Sequence, residues 1–282
     1  MKIAFFGTPR FAQIVLEDLI NSPYKPNLVI SSPDAKVGRG QQLKRSPVKE
    51  TALKNHITIL EPQTLLGPAF LTTIAAVQFD LAILVAFGKI IPKNILKIPK
   101  YGFINVHPSF LPKYRGPSPI QSAILAKEEK SGVTIMKLDE EIDHGPILGQ
   151  AELKIENDDT HDSLAEKLAS LGADLLLETL PNYLSGKLKP QPQNHTKATF
   201  TEHIKKQDGF INLKNPPTPK TFDRMVRAFY PWPTVWTKLE GKVLKFLPEN
   251  KIQPESKRPM TIKEFLNGYP RAEELIEKLI KQ

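Results

Sequence analysis

The segment that decides how this chain is interpreted is Asn105-Val106-His107-Pro108-Ser109-Phe110-Leu111-Pro112-Lys113-Tyr114-Arg115-Gly116. It continues the apolar run Gly102–Val106, which is typical of a buried strand, and passes into a loop that contains Pro and Gly. Asn105 and His107 are two positions apart, so their side chains point to the same face of the strand. The turn after them places both at the carboxyl end of the strand, which is the edge where open α/β sheets bind ligands.

The polar side chains of this segment predict a group-transfer site. An Asn amide can donate to a carbonyl oxygen, and a His can move a proton near neutral pH. A third polar group, Asp143, follows 36 positions after His107 in the segment Asp139–Gly145. An Asn-x-His pair is also common as a structural feature, so the residues alone leave a packing role open.

The chain around this segment alternates strand and helix signals over residues 2–184, which predicts a Rossmann-like, mostly parallel α/β sheet. The predicted strands are Lys2–Gly7, Asn27–Ser32, Ile57–Leu60, Leu81–Phe87, Gly102–Val106, Gly132–Leu138 and Ile147–Ile155. The predicted helices are Phe11–Asn21, Pro47–Asn55, Ala69–Val77, Pro119–Ala126 and Thr160–Leu184. The first strand ends in Gly7-Thr8-Pro9 without a Gly-x-Gly-x-x-Gly motif, so NAD and FAD binding are rejected.

Composition excludes several classes of protein. The 282 residues are enough for two domains, and no apolar run approaches the length of a membrane span. There is no Cys, which rules out disulfides and suits a cytoplasmic protein. The six His residues are scattered without metal-ligand spacing, so we expect no metal.

The positive charge of the chain is concentrated near its C-terminus. The net charge is +9, yet residues 1–184 contain 20 Lys or Arg against 20 Asp or Glu, whereas residues 185–282 contain 19 against 10. This asymmetry indicates a polyanionic partner, although a basic surface without a partner would look the same.

The same composition shift predicts the domain boundaries. We expect a catalytic domain over residues 1–184, a polar, Pro-containing linker over 185–208 and a basic C-terminal domain over 209–282. Within the last, two strands flanking Glu240-Gly241 predict a hairpin, and the prolines between 216 and 233 leave little room for a long helix. We expect Trp232 and Trp236 to be packed inside.

The motif Ser-Phe-Leu-Pro-x-Tyr-Arg-Gly at residues 109–116, with Asp143 downstream, resembles the signature of the folate-dependent formyltransferases. The resemblance implies the formyltransferase fold and 10-formyltetrahydrofolate as co-substrate. It implies that Asn105 holds the formyl oxygen, that His107 donates to the oxyanion or shuttles a proton, and that Asp143 orients His107. The residues implied to line the folate pocket are Ser109, Phe110, Leu111, Pro112, Phe87, Gly88, Ile90 and Asp139.

The segment Lys36–Lys49 contains five basic residues and no acidic one. It could be a solvated surface loop or a loop that orders on nucleic acid through phosphate contacts. It resembles the insertion loop of the family branch that formylates methionine on initiator tRNA, and Arg224–Pro233 resembles the start of that branch's second domain. The tRNA contacts that this implies are Lys36, Arg39, Lys44, Arg45, Arg224 and Arg227.

The C-terminal part departs from the family pattern. The family's second domain is an OB-type barrel of about five strands. Only a short stretch rich in Pro, Lys and Glu lies between Phe246 and Met260, so we expect a smaller, abbreviated β-rich domain of the OB type.

Two other functions remain open. The short second domain favours an N-formyltransferase acting on an aminosugar nucleotide, which the basic loop argues against. A non-catalytic RNA-binding relative is the other alternative, and the intact Asn105, His107 and Asp143 argue against it. The reading that fits most features is a cytoplasmic, monomeric enzyme that uses 10-formyltetrahydrofolate and methionyl initiator tRNA.

Overall fold

The computed structural model describes residues 1–37 and 41–280. Among these residues the strands are β1 (Ile3–Gly7), β2 (Leu28–Ile30), β3 (Ala35–Val37), β4 (Gln42–Lys44), β5 (Thr58–Leu60), β6 (Leu81–Val85), β7 (Phe103–His107), β8 (Lys130–Lys137), β9 (Ile147–Lys154), β10 (Val235–Leu239), β11 (Lys242–Leu247), β12 (Lys251–Pro254) and β13 (Met260–Thr261). The helices are α1 (Arg10–Ile20), α2 (Pro47–Lys54), α3 (Pro68–Val77), α4 (Lys93–Leu96), α5 (Pro119–Leu125), α6 (His161–Leu184), α7 (Pro219–Phe229), α8 (Ile262–Gly268) and α9 (Glu273–Ile280). No helix in this part of the chain is long and apolar enough to cross a membrane.

The predicted mostly parallel sheet is confirmed. Its strand order within the described residues is β5-β2-β1-β6-β7-β8-β9. Strand β1 pairs in parallel with β2 and β6, β2 with β5 and β6 with β7, whereas β8 is antiparallel to β7. All five residues of β1 and of β7 are buried, as expected for strands covered on both faces.

The order in which the strands are added reverses between β1 and β6, next to β7. From β1 the chain first builds outward through β2 and β5, and then returns to build β6 and β7 on the other side. The carboxyl ends of the parallel strands β1, β6 and β7 therefore meet at one edge, at the point where the order of building reverses. His107 is the last residue of β7 at this edge.

An aromatic cluster under the sheet supports this edge. The ring of Phe6 contacts Phe87 at 5.5 Å between centroids and Phe103 at 5.2 Å. Aromatic pairs at these separations contribute about 0.5–1.5 kcal/mol beyond the area they bury. Because Phe87 lies two residues after the end of β6, its burial in this cluster anchors the loop that begins there.

The chain divides into two compact units, each of which is described by itself. The first contains Met1–Pro117, Gly132–Leu153 and Glu166–Phe200, and the second contains Ser118–Ser131, Lys154–Ala165 and Thr201–Gln282. The boundaries predicted at residues 184 and 209 stay a prediction, because the units group residues by proximity in space and not by position along the chain.

The second unit contains an antiparallel sheet, as predicted, whose order is β10-β11-β12-β13 among the described residues, together with α5, α7, α8 and α9. The predicted hairpin is confirmed as β10 and β11, which pair from Val235↔Phe246 to Leu239↔Lys242. Strands β12 and β13 were not predicted, because their few residues include Pro and Lys and are ordered by pairing with β11 and with each other.

Helix α7 has 11 residues, which is an ordinary length, and it begins beside the prolines because Pro219 occupies its first turn and the Thr218 hydroxyl accepts from the Thr221 N–H. One expectation for the second unit was wrong. Trp232 is 56% exposed, whereas Trp236 is partly buried and donates its indole N–H to the Lys206 carbonyl at 3.0 Å.

Candidate active site

The structure brings Asn105, His107 and Asp143 together. Asn105 and His107 are buried on one face of β7, and Asp143 lies in the loop between β8 and β9. The Asn105 Nδ2 donates to Asp143 Oδ1 at 3.3 Å, and His107 Nδ1 lies 3.6 Å from the same oxygen. An amide, an imidazole and a carboxylate at this spacing can hold a carbonyl oxygen and move a proton beside it.

The hydrogen bond of His107 to the backbone assigns its tautomer. His107 Nε2 lies 3.0 Å from the carbonyl oxygen of Tyr114. A carbonyl oxygen can only accept, so Nε2 carries a proton in this arrangement. The other nitrogen, Nδ1, faces Asp143 and is therefore the ring atom that can take up or release a proton in the site.

Asp143 is held by a backbone donor on its second oxygen. Asp143 Oδ2 accepts from the Gly116 N–H at 2.7 Å, which leaves Oδ1 for Asn105 and His107. The backbone of Asp143 has a φ of +48°, in the left-handed region. The turn Tyr114–Gly116 thus holds both the His107 ring and the Asp143 carboxylate.

The loop Ser109–Pro112 is tied to β8 through one buried threonine. Thr134 Oγ1 donates to the Ser109 carbonyl at 2.7 Å and accepts from the Leu111 N–H at 3.1 Å. Gln150 Nε2 donates to the Leu111 carbonyl at 2.9 Å. Ser109 and Leu111 are buried, so their side chains support the loop, and these bonds already use the Ser109 carbonyl and both backbone polar groups of Leu111.

The other residues predicted to line the folate pocket differ in the solvent exposure of their side chains. Phe87 is buried in the core and Pro112 is partly buried, whereas Ile90 is 77% exposed and Phe110 is 40% exposed. Gly88 has a φ of +75°, and a Cβ placed there would meet nothing within 4 Å. A ligand beside this loop would therefore contact the backbone at Gly88 and apolar side chains at Ile90 and Phe110.

The loops after β6 and β8 are neighbours at the sheet edge. Lys93 Nζ, just after the first loop, lies 2.6 Å from Glu140 Oε1 in the second. In the second loop, Asp139 Oδ2 lies 2.6 Å from His144 Nδ1. The segments predicted to line the two sides of a pocket thus face each other.

Sequence reasoning missed Gln193, which was placed in a linker. Its amide Nε2 donates to the backbone carbonyls of Asp143 at 2.9 Å and Gly145 at 2.8 Å. Its Oε1 accepts from the guanidinium of Arg115. No sequence signal would have found this residue, because it lies in a polar stretch and its partners are about 50 to 80 positions away.

At the start of the basic segment Lys36–Lys49, strand β3 pairs antiparallel with β4 through Lys36↔Leu43, and Pro47–Lys49 belong to α2. Lys36, Lys44 and Arg45 are exposed, and Arg39 lies outside the described residues. Lys49 is not available to a partner, because its Nζ lies 2.7 Å from Asp34 and 2.8 Å from Glu61. Hydrogen bonds to Asp34 and then to Glu61 raise the pKa of Lys49 above its usual value.

In the second unit, Arg224 and Arg227 lie on α7 and line a cavity of about 710 Å³. Arg227 is partly neutralised, since its Nε lies 2.9 Å from Asp223 and its Nη1 donates to the Asp159 carbonyl. The Nε of Arg224 is buried without a hydrogen-bond partner. Across residues 1–37 and 41–280, no group of three or more His, Asp or Glu side chains could hold a metal ion.

Comparison with protein families identifies the class to which this site belongs. The formyl transferase family matches residues 1–180, and the C-terminal domain of formyl transferases matches residues 203–250. The chain therefore belongs to the formyl transferase family.

Several relatives within this family are similar to most of the chain. The methionyl-tRNA formyltransferase of Chloroflexus aurantiacus is 40% identical over 247 residues, which cover 88% of this chain and 79% of the relative. That of Methylococcus capsulatus is 36% identical, with 96% and 98% covered. Among solved structures, an N-formyltransferase from Helicobacter canadensis, in complex with folinic acid and dTDP-3-aminofucose, has a TM-score of 0.65 at 22% identity and covers 89% of this chain and 94% of its own. The likeness to that structure supports the fold.

Proposed function

We propose that the protein transfers the formyl group of 10-formyltetrahydrofolate to the α-amino group of methionine on initiator tRNA. The observation that carries the proposal is the convergence of Asn105, His107 and Asp143 at the carboxyl edge of the sheet. The 36–40% identity to methionyl-tRNA formyltransferases over most of the chain supports the choice of acceptor.

The three side chains match the demands of acyl transfer. The amine nitrogen attacks the formyl carbon, an oxyanion develops, and the bond from that carbon to the folate nitrogen breaks. Asn105 has a second amide N–H beyond the one donated to Asp143, and this proton can be donated to the formyl oxygen. One such donor contributes about 3 kcal/mol to stabilising the transition state.

Proton movement falls to His107 and Asp143. The attacking amine loses a proton, and the departing folate nitrogen gains one. His107 Nδ1 and Asp143 Oδ1 are 3.6 Å apart, a separation that one bridging water can span, so we propose that the proton passes between them through water. A positioned acid or base of this kind contributes roughly 10²–10⁴ in rate.

The loops flanking the site fit a flat, partly polar ring system such as the pterin of folate. We propose that the backbone of Gly88 and the carbonyl oxygens of the Ser109–Pro112 loop, each of which has a second lone pair, bind the ring edge, and that the exposed side chains of Ile90 and Phe110 cover its faces. Phe87 and Leu111 hold these loops from inside, and Asp139 orients His144 beside Asp143. The bound folate would supply the activated formyl group.

The tRNA contacts are proposed from charge. We propose that the exposed Lys36, Lys44 and Arg45 contact phosphates, and that Arg39, which lies between them in the sequence, does the same. In the second unit, the partly buried Arg224 and Arg227 of α7 are the corresponding candidates. We further propose a cytoplasmic, monomeric enzyme that uses no metal, and the absence of Cys supports the first of these.

The test is a direct assay with two acceptors. The purified protein is incubated with 10-formyltetrahydrofolate and either methionyl initiator tRNA or dTDP-3-aminofucose. We expect formylmethionyl-tRNA from the wild type and a loss of roughly 10²–10⁴ in rate for His107→Ala. A formylated sugar in place of formylmethionyl-tRNA would overturn the proposed acceptor, and an unchanged rate for His107→Ala would overturn the proposed chemistry.

A further inference from the structure

A buried hydrogen-bonded group joins residues 191–200 to the active site. Its centre is Gln193, which is 5% exposed. Gln193 Nε2 donates to the carbonyls of Asp143 and Gly145, and Gln193 Oε1 accepts from Arg115 Nε at 3.2 Å and Nη2 at 2.7 Å. These four bonds use both N–H groups and both lone pairs of the amide.

Arg115 connects Gln193 with the turn that holds the catalytic side chains. It is 3% exposed and lies between Tyr114, whose carbonyl accepts from His107, and Gly116, whose N–H donates to Asp143. Gln193 therefore links two parts of the site: the backbone at Asp143 and Gly145, and the turn Tyr114–Gly116, which contacts the Asp143 carboxylate.

Two histidines extend this group. Arg115 Nη2 lies 2.9 Å from His195 Nδ1, and since a guanidinium only donates, Nδ1 accepts. The His195 ring stacks on that of His144 at 4.0 Å with an angle of 8°. His144 follows Asp143 in sequence, so this stack holds the same loop from a second direction.

We propose that Gln193 is a positioning residue of formyl transfer, which sets Asp143 relative to His107 by bridging the Asp143–Gly145 backbone and Arg115. The kinetic tests of this inference rest on the proposed function. The family matches end at residue 180 and resume at residue 203, so Gln193 lies outside both. Glutamine suits the position because it donates to two carbonyls while accepting from a guanidinium. Glu lacks the donors and Leu lacks both functions.

The first experiment compares Gln193→Leu with Gln191→Leu. Gln191 is exposed, and its side chain donates to Lys189 O at 3.3 Å, so it makes a matched control two positions away. For Gln193→Leu we expect kcat to fall roughly 10–100-fold with KM for tRNA unchanged, because a displacement of about 1 Å in a catalytic group has effects of this size. We expect Gln191→Leu to keep the wild-type kcat.

A second variant distinguishes a loss of positioning from a folding defect. Gln193→Glu keeps an acceptor for Arg115 and loses both donors to the Asp143 and Gly145 carbonyls. It should lower kcat in the same way. Its carboxylate gains an ion pair with Arg115 but faces two carbonyl oxygens, so kcat is measured well below the melting temperature of each variant. Wild-type kcat in Gln193→Glu, or a KM increase without a fall in kcat, would overturn the inference.

A double-mutant cycle separates positioning from general structural support. If Gln193 acts through Asp143, adding Gln193→Leu to Asp143→Asn should lower kcat by less than it does in the wild type. An equal fold-loss in both backgrounds would overturn the inference.

A measurement that needs no acceptor separates this inference from the proposed function. In ¹⁵N NMR of the histidine rings, the His107 signals should move in Gln193→Leu and stay in place in Gln191→Leu. A wild type that fails to formylate methionyl-tRNA would refute the proposed function, while the His107 signals would still decide the role of Gln193. Unmoved His107 signals would overturn it.

Discussion

The replacement Asp143→Asn tests the proposed proton path most directly. Asp143 Oδ2 accepts from the Gly116 N–H, and Oδ1 faces Asn105 Nδ2 and His107 Nδ1. An amide keeps only one acceptor oxygen. Because a backbone N–H can only donate, that oxygen takes the place beside Gly116, and the amide nitrogen then faces another donor on Asn105.

The size of the effect follows from the distance to His107. A unit negative charge 3.6 Å from a protonated ring is worth about 4–5 kcal/mol at an effective dielectric constant of about 20. At about 1.4 kcal/mol for each tenfold change, this corresponds to roughly 10³ in rate. Relaxation of the loop reduces the loss, so we expect kcat to fall about 10²–10³-fold.

The assay follows formylmethionyl-tRNA under saturating donor, with Glu140→Gln as the matched control. Glu140 lies in the same loop, undergoes the same change of carboxylate to amide and forms an exposed ion pair with Lys93, which contributes little. We expect Glu140→Gln to retain the wild-type kcat. If Asp143→Asn also had the wild-type kcat, or differed from the wild type only in KM for tRNA, the role of Asp143 in proton transfer would be refuted.

The other predictions concern tRNA affinity and stability. Lys36→Ala and Lys44→Ala should each reduce the slope of log affinity for tRNA against log salt concentration by about one, and unchanged slopes would argue against phosphate contacts. Burial raises the pKa of Asp18, so its stabilising contribution is present below pH 3.8 and is lost as the pH rises through the raised pKa. Asp18→Asn should therefore raise the melting temperature at pH 7 by about 1–2 °C and leave it unchanged near pH 3, and a fall at pH 7 would contradict this. Gly172→Ala would place a Cβ 2.7 Å from Val106 Cγ1 and should cost about 1–3 kcal/mol in urea unfolding, whereas an unchanged midpoint would contradict the packing.

Much of the first unit could be predicted from local signals. Strands β1, β6 and β7 appear in the sequence as short apolar runs because parallel strands are buried on both faces. Helix α6 was also predicted, and at its start the side chains of Thr160 and Ser163 accept from each other's backbone N–H.

The second unit was less predictable. The hairpin β10–β11 carries its own turn signal, whereas β12 and β13 have only four and two residues, and they become strands through pairing with the preceding ones. The exposure of Trp232 likewise depends on which surfaces pack together, and local composition does not record that.

The sequence alone determined the alternating α/β pattern, the candidate residues Asn105, His107 and Asp143, and the family to which they point. Each of these features is encoded in a short motif or in a fixed spacing along the chain. The catalytic role of these residues stays a prediction. Only the tertiary structure decided which nitrogen of His107 faces Asp143, and that Gln193 lies against the active site. The bond from Arg115 to Gln193 joins residues 78 positions apart. Such a bond depends on how the chain folds back on itself, so neither periodicity nor local composition records it.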